Sequence, residues 1–110
     1  MDRDKLLGTA KLAKGNWRLA LDAFGHLGIA FGSALLVTAA PAYFGALSLA
    51  VCGGIGTAAG FAAMLLREGI QWAVSGSPHI LDRLLDLAPS PIGGLAGGIT
   101  CWWLVSRYLL

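Results

Sequence analysis

Between Ala23 and Leu66 the chain runs for 44 residues without one Asp, Glu, Lys or Arg, and His26 is the only histidine inside that run. A second charge-free run of 20 residues extends from Leu87 to Ser106. The hydrocarbon core of a bilayer takes roughly 20 apolar residues per helix, so the first run accommodates two spans and the second accommodates one. In a chain of 110 residues, that much apolar surface exceeds what one small soluble core can hide. Charged residues make up 13% of the chain, against roughly 25% in ordinary soluble domains, and the mean hydropathy is +0.70. The expectation is a single all-α membrane domain with three transmembrane helices.

The pattern places the first span at residues 23–40, where Pro41 stops or kinks it. The second falls at 43–66 and the third at 92–109, leaving 67–91 as a polar cytoplasmic loop. Within that loop "SPHILDRLLD" predicts a short interfacial helix, with Ser77 as N-cap and Pro78 at the first helical position. Residues 1–22 mix Leu6, Leu7, Leu12, Trp17, Leu19 and Leu21 with Lys5, Lys11, Lys14 and Arg18, a composition suited to an amphipathic helix at headgroup level. They lack the short apolar core and small-residue site of a cleaved signal.

Orientation follows from the cations. Arg3, Lys5, Lys11, Lys14 and Arg18 precede the first span, and Arg67 and Arg83 fall between the second and third. Three spans put those seven of eight basic residues on one side, with Arg107 across. The N-terminus is therefore expected in the cytoplasm and the C-terminus outside.

Small residues recur one turn apart in every span: Gly28 with Gly32, Gly56 with Gly60, Gly93 with Gly97, and also Gly94 with Gly98. Such pairs let helix backbones approach closely where lipid removes the hydrophobic force, which predicts a tight bundle, a homo-oligomer or other membrane-protein partners. Cys52 and Cys101 fall within spans and read as small hydrophobes. "GGIGTAAG" carries no lysine and lies within a span, so it is packing and not a nucleotide cradle. Nothing points to nucleic acid.

Polar residues gather at the expected cytoplasmic rim. Asp22 and His26 are four apart, Glu68 and Gln71 three apart, and Asp82 and Asp86 four apart, so each pair shares a helix face. Hairpin connectivity brings all six to one membrane surface as ligand-binding candidates, with Asp22 or Glu68 the expected partner of His26. Arg67, His79 and Arg83 read as headgroup contacts or solvated charges. Two chemistries remain open. Carboxylates with a histidine could hold a divalent cation, the oxygen-rich set favouring Mg²⁺, Mn²⁺ or Ca²⁺ over a zinc site. Alternatively, a carboxylate–histidine pair moves protons at a lipid-linked phosphate. Whether the chain is an enzyme stays open.

At these residues the chain resembles the VanZ-like family of small bacterial, phage and prophage membrane proteins. The family's Asp-x-x-x-His reads here as "DAFGH", Asp22 to His26, and its Glu-x-x-Gln as "EGIQ", Glu68 to Gln71. "DLAPSPIGGLAG" supplies Asp86, Gly93 and Gly97, with Ser90 where the family carries Asn. The resemblance spans residues 22–98 and implies a cell-envelope protein, its founding member being associated with glycopeptide resistance. Any shared activity would rest on Asp22, His26, Glu68, Gln71 and Asp86. Two other readings fit the size and the glycine-lined spans: a structural or accessory subunit of a larger membrane complex or virion membrane, and a holin-like pore former.

Overall fold

The computed structural model describes residues 16–45, 47–76 and 80–109. Every element among them is helical: α1 (Asn16–Gly45), α2 (Leu49–Ser75), α3 (Ile80–Leu87), α4 (Ser90–Leu104), and a π-helical turn at Val105–Leu109. The expected amphipathic segment lies outside the described residues except for its last part, where Asn16 to Asp22 form the first turns of α1. The expected caps Ser77 and Pro78 also lie outside them.

Both long helices extend further than their apolar runs. Pro41 does not end α1, which continues to Gly45. Proline removes one backbone donor and crowds the preceding turn. The turn beyond it is held nonetheless, because Ala42 packs into a cluster with Cys52, Cys101 and Val105. The hairpin therefore turns after Gly45, and Ser48 starts α2 by accepting a hydrogen bond from the Val51 amide at 3.3 Å. The α2 helix continues past Leu66 to Ser75, so Arg67, Glu68 and Gln71 stand on a helix and not in a loop. It stops at Gly76, whose φ of 69° is readily adopted only by glycine and whose N–H reaches the Trp72 carbonyl. The last long element begins at Ser90, two residues before the expected Ile92, with Pro91 in its first turn.

Three seams of small residues join the bundle. On α1 the buried positions are His26, Ala30, Ala34, Thr38 and Ala42, each one turn from the last. On α2 they include Cys52, Gly56, Gly60, Met64 and Glu68, again at steps of four. Two glycine rows on α4 face these seams. A Cβ added at Gly93 would meet the Leu27 carbonyl at 2.7 Å, and one at Gly97 would strike the Phe31 carbonyl. The register of α4 on α1 is therefore parallel. Gly94 and Gly98 abut Gly56 and Cys52, and Gly60 abuts Gly94, so α4 runs antiparallel to α2. Of the expected packing glycines, Gly56, Gly60, Gly93 and Gly97 thus lie in helix interfaces. Gly28 and Gly32 do not: no other helix comes within 4 Å of a Cβ built on either.

Large apolar side chains point the other way. Phe24, Leu36, Phe44, Val74 and Ile92 are among the most exposed residues in the molecule, whereas the largest fully buried side chain is Met64. The interior is thus built mainly of Gly, Ala, Ser, Thr and Cys, with most of the bulky hydrocarbon outside. Two helical stretches, Ala20–Gly45 and Leu49–Ser75, are long and apolar enough to cross a membrane, with mean hydropathies of 1.6 and 1.9.

Candidate functional site

The first and last residues of two packing seams are ionisable. His26 begins the α1 seam, one turn before Ala30, and Glu68 ends the α2 seam, one turn after Met64. Because α1 and α2 form a hairpin, these seam ends meet at the same end of the bundle. Asp86, on the short α3 that crosses this end, closes the arrangement. All three are buried: His26 is 7% exposed, Glu68 3% and Asp86 6%. One ligating atom from each lies within 4.8 Å of the other two.

His26 pairs with Asp86, where Asp22 or Glu68 was the expected partner. Its Nδ1 lies 3.2 Å from Asp86 Oδ1. At that distance a protonated Nδ1 donates to the carboxylate, which sets the ring orientation and leaves Nε2 as the second functional nitrogen. The reason for the difference is topological. Asp22 shares the helix of His26 but sits a full turn nearer its open end, half-buried, whereas α3 folds back over the seam and delivers Asp86 directly.

Glu68 is held by two cations. Arg67 Nη1 lies 2.9 Å from its Oε1, and Arg83 Nη1 lies 2.8 Å from its Oε2 and 3.1 Å from its main-chain oxygen. Arg83 is therefore not a solvated charge: its side chain is only 14% exposed, against 34% for Arg67. The sequence does carry a signal for this. Arg83 and Asp86 are three apart, so the face of α3 that turns Asp86 inward turns Arg83 inward as well. A carboxylate so buried is stable only when its charge is met at close range, and both of its oxygens are met here.

Ser90 completes the framework. It is fully buried, and its hydroxyl donates to the Leu87 carbonyl at 2.6 Å, locking α3 to the start of α4. The remaining expected site residues stand apart. Gln71 is exposed, Asp22 and Asp82 are half-buried, and neither aspartate joins the group of converging ligand atoms. His79 lies outside the described residues.

An apolar groove of about 240 Å³ flanks the cluster, lined by Leu65, Trp72, Ile80, Leu84 and Leu87, with Glu68 and Arg83 at its polar edge. Polar recognition and hydrocarbon contact are thus adjacent. Comparison with protein-family models, with curated proteins and with solved structures gives no match. The chemistry of the cluster therefore has to be argued from its own atoms.

Proposed function

We propose that this chain is a small VanZ-like integral membrane protein of the bacterial cell envelope, crossing the inner membrane three times with its N-terminus in the cytoplasm. In this reading the His26–Asp86–Glu68 cluster holds the phosphate-bearing headgroup of a lipid-linked ligand at the cytoplasmic face. The inside-out distribution of side chains supports membrane integration, since bulky apolar residues cover the outside of helices joined by glycine. The 20 residues from Ser90 to Leu109 supply the length of a third span.

The observation that carries the site is the convergence of three buried ionisable side chains from three different helices. Such groups are costly in a membrane protein, and where they persist in a cluster they mark a ligand or ion path. Arg67 and Arg83 bring positive charge to the same end, and the groove beside them offers an acyl or prenyl chain an apolar wall.

Native mass spectrometry of the protein in nanodiscs, offered a polyprenyl phosphate against phosphatidylcholine, tests the reading. The wild type should retain the phosphate lipid, and His26→Gln or Glu68→Gln should lose it while remaining inserted. Equal retention by wild type and both variants would remove the headgroup role. An interaction role is favoured separately by Gly28 and Gly32, a one-turn glycine pair left open on α1. Copy number from the same spectra reports on it, a strict monomer counting against.

A further inference from the structure

We infer that His26, Glu68 and Asp86 bind one divalent transition-metal cation. The inference deepens the headgroup reading, resting on the same cluster and naming the inorganic part of its ligand. Ligand atoms sharing a metal at roughly 2.1 Å sit about 3.0–3.5 Å from one another. The His26 Nδ1–Asp86 Oδ1 separation of 3.2 Å already has that value, the cation taking the place of the proton that otherwise joins the two atoms. One ligating atom of Glu68 stands within 4.8 Å of one from each of His26 and Asp86, so the three converge and Glu68 has to draw in to complete the site. One imidazole nitrogen and two carboxylates suit Mn²⁺, Fe²⁺ or Zn²⁺ better than Mg²⁺ or Ca²⁺, which prefer all-oxygen sites.

The arginines are compatible with this role. Each carboxylate oxygen has two acceptor positions, so the bonds from Arg67 and Arg83 leave Glu68 able to ligate. Hydrogen-bonded carboxylates are usual among metal ligands, because outer donors fix their orientation. Charge determines what completes the coordination. Among the cluster and the two arginines that contact it, Glu68 and Asp86 match Arg67 and Arg83 when His26 is neutral, so a dication adds two positive charges to that group. A phosphate group carries about −1.5 to −2 at neutral pH and offsets them. The cation and the phosphate headgroup should therefore bind cooperatively, each tightening the other by the same factor.

Mn²⁺ titration of the protein in nanodiscs, followed by electron paramagnetic resonance, tests the site. The expected result is one Mn²⁺ per chain, displaced by Zn²⁺, with His26→Gln, Glu68→Gln and Asp86→Asn each weakening binding by tenfold or more and Asp22→Asn leaving it unchanged. A wild-type titration indistinguishable from that of His26→Gln would overturn the inference. Should a variant fold poorly, the wild type alone decides. Bound Mn²⁺ must show a nitrogen-14 coupling from coordinated imidazole, and its absence overturns the site. Polyprenyl phosphate retention is then compared with Mn²⁺ and with a chelator. Equal retention in both leaves the headgroup reading standing and removes the cation. Mn²⁺ bound through imidazole, with lipid retention untouched by His26→Gln and Glu68→Gln, does the reverse.

Discussion

One guanidinium nitrogen of Arg83 donates to both Glu68 Oε2 and the Glu68 carbonyl oxygen, at 2.8 and 3.1 Å, and so ties the crossing helix α3 to the end of α2. Arg83 thus fastens the two helices to each other at the polar end of the bundle. Asp86, one turn further along α3, then reaches His26 on α1. The short helix is the clasp that holds the polar end of the bundle closed.

Removing the two ends of this pair should not be equivalent. Glu68→Ala removes the carboxylate from a largely buried ion pair with Arg83 and should cost about 3 kcal/mol, the range for breaking such a pair. Arg83→Ala leaves Glu68 still paired with Arg67 and should cost clearly less. Denaturant unfolding in detergent, followed by circular dichroism, measures both. Equal losses would mean that Arg67 does nothing for Glu68.

The glycines divide into two classes. Gly94→Ala and Gly98→Ala place a methyl group against the carbonyls of Gly56 and Cys52, which cannot move without shifting α2, and each should cost about 1–3 kcal/mol. Gly28→Ala and Gly32→Ala meet open space and should leave the single chain as stable or up to about 1 kcal/mol more so, from helix propensity. Thermal unfolding checks stability, and native mass checks assembly. A loss of oligomer in the second pair alone would assign that face to self-association.

Thr38 is fully buried on the α1 seam, and its hydroxyl has no hydrogen-bond partner among the described residues. Thr38→Val keeps the branched shape and removes the stranded polar group. It should stabilise the bundle by about 1 kcal/mol, read as a rise in the thermal midpoint. A drop would show that the hydroxyl has a partner in the membrane-embedded protein.

Topology is testable with single cysteines in a background where Cys52 and Cys101 are replaced by alanine. Trp17→Cys and Gln71→Cys should label from the same side of the membrane, and Tyr108→Cys from the other. All three positions are exposed, so a silent site reflects its compartment and not burial. Labelling of positions 17 and 71 from opposite sides would separate the ends of α1 and α2 and dissolve the proposed site.

Much of this protein is determined locally, and the sequence by itself therefore decided it. Charge-free runs specify the two long apolar helices, one-turn glycine spacing specifies close packing on α2 and α4, and the polar residues at 26, 68 and 86 announce a wet end. What the chain order could not decide was which of these meet. Gly28–Gly32 and Gly56–Gly60 are the same motif, yet only the second faces another backbone, because the direction of a helix face depends on how its neighbours cross it. His26 has an acidic residue four positions away on its own helix, yet it finds Asp86, and Arg83 is inside although an arginine beside a span reads as solvated. Helix formation is set by hydrogen bonds four residues long, whereas these pairings join residues 15 and 60 positions apart. They arise only when the small-residue seams have drawn three helices together and α3 has folded across their end.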